Sequence, residues 1–295
     1  MRFRWAWVEP VMPLPYVPTL GPVHPGSPLP DLFAAVVKAA GTDRFLPHDK
    51  DRRWSDRKTE QVLVEAIQHD RRRTLVPTLL DRGARTVRVH AYTSDPESLA
   101  AASGLARQLA HVHGTVRARV VSFLAPGQPD ELAQGGIRVQ LTDFTAGPGP
   151  APGLPVQECH QLSAEAGFGE FGSAMAADGF AFLHERMRAG KTGPVLTVVH
   201  EGRVAGAIGP METMPDAAGT VRLLPQYFGV LPHYRGRGYG QALWRAAMQW
   251  GHEHGAAYQI LQTQVGGASD HLCAAEGLAS LGVILQAEAL GPGRQ

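Results

Sequence analysis

Only two cysteines, Cys159 and Cys273, occur in 295 residues. They are too few for a disulfide framework, and no C-x-x-C pair offers a metal-ligand spacing. Lysine is nearly as scarce, at four of the 28 basic residues. That arginine bias accompanies abundant Ala, Gly and Pro and carries no mechanistic information. Net charge is small as well, +1 at pH 7, so no strong overall field draws in nucleic acid. Apolar runs of membrane length are absent. The opening Met1-Arg2-Phe3-Arg4-Trp5-Ala6-Trp7 interrupts its apolar residues with two arginines before Pro10, which predicts a soluble, cytoplasmic protein with no membrane partner. The sequence has no G-x-S-x-G elbow, no H-E-x-x-H and no low-complexity basic tail, which argues against hydrolase, zinc-protease and chromatin readings.

What is present is ordinary globular material, 44% hydrophobic and 19% charged, in a chain long enough for two domains. Eight of the 23 prolines fall in residues 10–30, which predicts an extended arm. The run Ala146-Gly147-Pro148-Gly149-Pro150-Ala151-Pro152-Gly153-Leu154-Pro155 breaks both helix and sheet and reads as a linker, so the expected domains are 1–150 and 151–295. Their formal charges differ, +4 for the first and −3 for the second.

The second half reads as an α/β pattern. Helical segments cover about 168–189, and a hairpin joins Val195–His200 to Val204–Ile208. A strand follows from Val221 to Leu231, with Pro225 marking a bulge or edge. A helix begins at about Gly238 with Leu243, Ala246, Ala247 and Trp250 on its apolar face. Next come a strand at Tyr258–Val265, a short helix at Ser269–Glu276 and a strand at Leu281–Ala287. Shifting the numbering by 141 lays part of this order on the first half, with a helix at Leu99–Val112 and a strand at Val116–Phe123. Leu99–Val112 ends in His111-Val112-His113-Gly114 as the later helix ends in His252-Glu253-His254-Gly255, and Gly136-Ile137 falls on Gly277-Leu278. A duplicated fold is the expectation. The His pairs read as helix C-termini rather than metal ligands, since their members stand only two apart.

The chemistry concentrates in Val230-Leu231-Pro232-His233-Tyr234-Arg235-Gly236-Arg237-Gly238-Tyr239-Gly240, a strand end joined to a helix start through three glycines. Glycine permits positive φ and close approach of a ligand, and the first N–H groups of a helix favour an anion. The run is neither a Walker loop nor G-x-G-x-x-G, because no Gly-Lys-Ser/Thr follows and the spacing is G-x-G-x-G. It resembles the GNAT superfamily of acyl-CoA-dependent N-acetyltransferases, whose hallmark V-x-P-x-x-R-G-x-G-x-G/A is matched by Val230, Pro232, Arg235, Gly236, Gly238 and Gly240. The resemblance extends over about 155–290. It implies a GNAT-type mixed β-sheet flanked by helices, here two tandem GNAT-like domains with a degenerate first copy, because at the 141 offset stand Ser94-Asp95-Pro96-Glu97 with two carboxylates and no glycine. Ser94 or Asp95 suits a helix N-cap and Pro96 its first turn.

The resemblance further implies that acetyl-CoA is the cosubstrate, held at its pyrophosphate by backbone N–H groups of Arg235, Gly236, Arg237, Gly238, Tyr239 and Gly240. The pantetheine arm would pair with the strand Phe228-Gly229-Val230-Leu231, and the Val230 N–H would polarise the thioester carbonyl. No metal is implied. The acceptor is an amine, expected to be a small molecule. Many relatives carry a proton-donating Tyr where Cys273 stands, so Cys273 is either the donor or a small buried hydrophobe. A base is not legible, since Val221–Leu231 holds no Asp or Glu and Gln226 cannot serve. His233, Glu212 and Asp270-His271 are the nearby titratable groups, Tyr227 is a candidate lining of the acceptor pocket, and some relatives need no dedicated base. Two other readings stand beside the enzyme, a non-catalytic acyl-CoA-binding sensor and a modifier delivered to a macromolecule by the basic first half. Oligomeric state is left open.

Overall fold

The computed structural model describes residues 4–93, 95, 97–145, 147, 149–161 and 167–289. Ser94 and Pro96, and Ala146 and Pro148 of the linker, lie outside them. In chain order the elements are β1 (Tyr16–Val17), β2 (Gly21–Pro22), α1 (Leu29–Ala39), β3 (Glu60–Val62), β4 (Gln68–His69), β5 (Arg73–Leu80), β6 (Thr86–Thr93), α2 (Glu97–Val112), β7 (Arg117–Leu124), α3 (Asp130–Ala133) and β8 (Ile137–Asp143). There follow β9 (Gln157–Glu158), α4 (Phe168–Ala174), α5 (Phe180–Arg188), β10 (Leu196–His200), β11 (Arg203–Gly209), β12 (Thr213–Pro215), β13 (Val221–Leu223), β14 (Tyr227–Val230), α6 (Tyr239–Glu253), β15 (Tyr258–Gln264), α7 (Ala268–Ala275) and β16 (Ala279–Glu288). This is a mixed α/β fold with helices flanking its sheets. The order strand–helix–strand–short helix–strand occurs twice: β6-α2-β7-α3-β8 and β14-α6-β15-α7-β16 begin at Thr86 and Tyr227, 141 positions apart.

Two compact units emerge, and they are not consecutive in the chain: residues 1–141, 216–218 and 260–295 form one, and 142–215 with 219–259 the other. The division departs from a cut at the 146–155 linker because β16 pairs on both edges within the first unit. It runs antiparallel to β7 (Val283 opposite Leu124) and to β8 (Ala279 opposite Leu141). The first unit's sheet therefore reads Ile260–Gln264 of β15, then β8, β16, β7, β6, β5 and β3. Its central strands β5 and β6 are largely buried on both faces, with Thr74, Thr78, Thr86 and His90 among the buried residues. One face packs α2 through Ala102, Leu105, Ala106 and Leu109, whose spacing follows the helical repeat, against Leu75, Leu79, Val87 and Val89. The proline-rich arm is not simply extended. Tyr16 and Val17 ladder with Pro22 and Gly21, and Leu14, Val17, Leu20 and Val23 are buried.

In the second unit, β14, β11, β10 and β9 form an antiparallel sheet. Phe168, Phe171, Met175, Phe180 and Leu183 of α4, α5 and their connection pack with Val195, Val204 and Ala207. Helix α6 buries Ala242, Leu243, Trp244, Ala247, Met248 and Gly251. That apolar face is rotated from the expected one, since Ala246 and Trp250 are only half-buried. The strand expected at 221–231 is two strands. β13 pairs with β12 and, in parallel, with the start of β15 (Arg222 opposite Tyr258, Leu223 opposite Gln259), whereas β14 pairs with β11. Leu224-Pro225-Gln226 separates them, and Pro225 has no N–H with which to continue a ladder.

Candidate functional site

Pairing direction decides what β14 offers. Leu231 N–H donates to the Ala205 carbonyl at 2.9 Å, and Gly229 stands opposite Ala207. Antiparallel alternation then turns the N–H groups of Phe228 and Val230 away from β11. Among the described residues β11 is the only strand hydrogen-bonded to β14. The other edge of β14, beyond the point where the chain leaves β15, is open to an extended ligand. Gly229 serves packing here, since a Cβ on it would lie 2.8 Å from Met175 Cε and 2.9 Å from Phe180 Cε2.

After β14 the chain makes a 3-10 turn at Pro232–Tyr234 and enters α6 through Gly238, whose φ of 82° is left-handed. Gly236 has φ 78°. L-residues with a Cβ rarely adopt either conformation. No side chain caps the helix at Gly238, so the first-turn N–H groups of Tyr239 and Gly240 have no acceptor inside the helix. Among the described residues, the N–H groups of Gly236 and Gly238 have no backbone acceptor either. Residues 235–238 are exposed, and nothing lies within 4 Å of where a Gly236 Cβ would be. The N-terminus of this fifteen-residue helix is uncapped, glycine-lined and open, a geometry compatible with an anion. The nearest side chain to the Gly238 Cβ position is Leu154, at 3.5 Å.

Side chains around the turn are held by one another. Arg235 Nε donates to the Val230 carbonyl at 3.2 Å, and the Arg237 guanidinium lies 5.6 Å from the Tyr234 ring centre. His200, at the end of β10, has Nε2 3.3 Å from Arg237 Nη1 and Nδ1 2.7 Å from the Tyr239 hydroxyl. A guanidinium can only donate, so Nε2 is the acceptor in that contact, and the Glu201 carboxylate lies 3.8 Å from the same atom. His200 thus ties the turn to the hairpin. Sequence reasoning passed over it, since nothing marks an isolated His at a strand end.

The remaining expected residues scatter. His233 is exposed beside Tyr234, their ring centres 4.1 Å apart. Tyr227 is half-buried among Phe180 and Phe182, and a Cβ on Gly179 would overlap its ring. The Glu212 carboxylate accepts from Gly193 N–H at 3.2 Å. Cys273 belongs to the first unit, is 2% exposed, and burial pushes its thiol up to about 11. Asp270 is neither exposed nor a simple cap. It is buried in the first unit, accepting from Arg138 Nε, Gln140 Nε2, the Thr263 hydroxyl and Gly266 N–H at 2.9–3.0 Å. At the fork below β14, Gln259 Nε2 donates to the Leu224 carbonyl at 3.3 Å and to Gln226 Oε1 at 2.7 Å. Gln259 was legible only as a polar residue inside an apolar strand. Among the described residues no three His, Cys, Asp or Glu side chains gather as a metal site, and no helix is long and apolar enough to cross a membrane.

Residues 156–273 match the family model described as acetyltransferase (GNAT) family. Among solved structures, a GCN5-related N-acetyltransferase from Sphaerobacter thermophilus is 14% identical with TM-score 0.47, covering 76% of this chain and 82% of that one. A tandem GNAT protein from the clavulanic acid biosynthesis pathway is 18% identical with TM-score 0.43, covering 76% and 80%. A GCN5-related N-acetyltransferase from Kribbella flavida is 18% identical with TM-score 0.44, covering 79% and 92%. No curated protein matches the chain.

Proposed function

We propose, from the match of residues 156–273 to the GNAT acetyltransferase family, that the protein transfers an acetyl or short acyl group from CoA to an amine, with a small molecule as acceptor. The observation that carries this reading is the uncapped glycine turn at 236–240, exposed over 236–238, which follows a strand whose N–H groups at Phe228 and Val230 face an edge unpaired among the described residues. Diphosphate at the helix N-terminus and an amide-bearing arm along β14 are what such a groove accommodates. Arg235 and Arg237 flank the diphosphate position with charge-assisted donors.

In the reaction a neutral amine attacks the thioester carbon. The C–N bond forms, the C–S bond breaks, the amine proton leaves to water, and the CoA thiolate takes up a proton. The outward Val230 N–H pairs with the amide-bearing arm that leads to the thioester. Cys273 is a poor proton source, because a thiol near 11 is a weaker acid than an ordinary thiol near ~8.5. Transfer from it to the departing thiolate runs uphill, which supports a packing role for Cys273 and water as the proton source. The same feature, with a strand lacking any carboxylate, motivates the second reading, a protein that binds acyl-CoA without turnover. The first half, repeating the order of elements at an offset of 141, is read as a degenerate GNAT-like copy.

Calorimetric titration with acetyl-CoA, followed by thiol release over a panel of amines, separates these. Binding with turnover supports the transferase, and saturable binding with none on any amine supports the sensor. No binding of acetyl-CoA removes both.

A further inference from the structure

The fork between β13 and β14 holds a pair of amides that neither packing nor the ladder explains. Gln259 is fully buried at the last rung shared with Leu223, and Gln226 stands just before β14. Their orientation is fixed by chemistry. The Leu224 carbonyl can only accept, so the group facing it is the Gln259 NH2, whose second hydrogen goes to Gln226 Oε1. Both donor hydrogens of Gln259 and the carbonyl of Gln226 are thereby used. What remains is Gln226 Nε2 and Gln259 Oε1, each sealed from solvent and, among the described residues, without a hydrogen-bond partner. Buried orphans of this kind are rare and costly. Two of opposite sense on one hydrogen-bonded pair form a neutral donor and acceptor with unused capacity.

This placement matters because Gln226 is two residues before Phe228, the first outward N–H of the open edge. A ligand extended along that edge toward the fork ends its run at Gln226. Resting on the acyl-CoA reading of the groove, we propose that the Gln226–Gln259 pair receives the reacting head: Gln226 Nε2–H donates to the acyl carbonyl oxygen, and Gln259 Oε1 accepts an N–H of the incoming amine. The pair binds and orients without exchanging a proton, which fits a site whose strand carries no carboxylate. Because both atoms are covered in the free chain, the acyl head parts the fork to reach them, and two unsatisfied groups become satisfied when it does. At the 141 offset the first half has Arg85 and Ala118 in these positions, so the pair belongs to one copy only.

The test compares acetyl-CoA with CoA, which differ only in the group the pair would hold. Calorimetry on the full chain should give acetyl-CoA about fivefold tighter binding than CoA, the worth of one hydrogen bond. In Gln226→Met the ratio should fall to about one, with CoA affinity kept within about twofold. If circular dichroism shows that Gln226→Met does not fold, Gln226→Glu carries the test, since a carboxylate facing the acyl oxygen should make CoA the preferred ligand. A wild-type chain without preference for acetyl-CoA, or a preference that survives either substitution, overturns the proposal and leaves the groove standing. A wild-type chain that binds neither ligand overturns the groove and the pair's role with it.

Discussion

The two repeats place a parallel strand pair and a following helix in the same order and finish them oppositely. In the first, β6 and β7 are laddered over five positions, from Thr86 opposite Arg117 to His90 opposite Val121. Asp95 fills the start of α2, accepting from Glu97 N–H at 3.0 Å and from the Ser98 hydroxyl at 3.4 Å. In the second, the pairing with β15 ends after two rungs, β14 departs, and α6 begins at an uncapped glycine. The space around β6 is filled with rings, Tyr92 lying 5.1 Å from Phe123 and Tyr16 5.5 Å from His90. One arrangement caps its helix start with a carboxylate and the other, among the described residues, leaves it uncapped. A carboxylate cap stabilises a helix start and repels a diphosphate at the same place, so stability and anion binding compete for the same N–H groups.

Closing the second turn chemically should therefore erase the difference. Gly238→Glu places a carboxylate beside the first turn of α6, as Asp95 stands beside that of α2, at a position that also demands φ 82°. CoA affinity should fall by about 1,000-fold, or about 4 kcal/mol, while the fold loses only about 1–2 kcal/mol to the left-handed backbone. Calorimetry and urea unfolding report the two quantities separately. Unaltered affinity would show that the turn does not hold the diphosphate.

The short helices differ in their anchorage as well. In α3 the Asp130 side chain is 73% exposed and bonds Arg138 from the surface, whereas Asp270 of α7 is buried and gathers four donors from β8, β15, Arg138 and the loop before the helix. Asp270→Ala leaves the Arg138 guanidinium and the Gln140 amide short of partners in a buried setting, a loss of about 3–5 kcal/mol in urea unfolding. Asp130→Ala should cost less than about 1 kcal/mol. Equal losses would mean that the buried carboxylate is no more than a surface pair.

Much of this contrast was legible beforehand. Helix and strand order in the second half, part of that order in the first, the 141-residue offset and the glycine turn all follow from local signals, because periodicity and positive-φ glycines are written in neighbouring residues. Three things were not. β16 reads as the last strand of the second half, yet its partners are β7 and β8, and pairing partners are set by contacts distant in sequence. Pro225 marked an irregularity without revealing that the strand parts from β15 there. Asp270 read as one titratable group among several and Gln259 as a lone polar residue in an apolar strand, because burial of a polar side chain depends on what other segments bring to it.

The first repeat carries a pH signature that the second lacks. His90 in β6 is fully buried, with Nδ1 3.1 Å from the Val76 carbonyl, and burial pulls its pKa down to about 4, outweighing the attraction of Glu60; Arg88 acts in the same direction as burial. The unfolded chain takes up a proton near 6.5, and the folded chain only near 4. Stability is thus full above about 6.5 and falls as pH drops between the two values, by roughly 3 kcal/mol in total. The residue at the same offset in the second half is Leu231, which does not titrate. Urea midpoints at pH 7, 5.5 and 4.5 for wild type and His90→Phe should converge as pH falls. A constant gap across that range would mean that His90 does not carry the dependence.

The smallest effect concerns Cys273, which distinguishes an inherited catalytic position from a packed one. Its thiol is buried in α7, with Asp270 and Glu276 adding to the desolvation that raises it to about 11, so it is protonated and reluctant at neutral pH. Cys273→Ala removes a small buried volume at a cost of about 1 kcal/mol. If water supplies the proton to the departing thiolate, turnover with a saturating amine should stay within about twofold of wild type, since losing a general acid would slow it by about 100-fold or more. Rate measurements across pH sharpen the distinction: a donor at 273 would make the rate fall as pH rises through about 11, and the alanine variant would lose that limb. An unchanged profile places proton delivery in the solvent and leaves α7 a structural element.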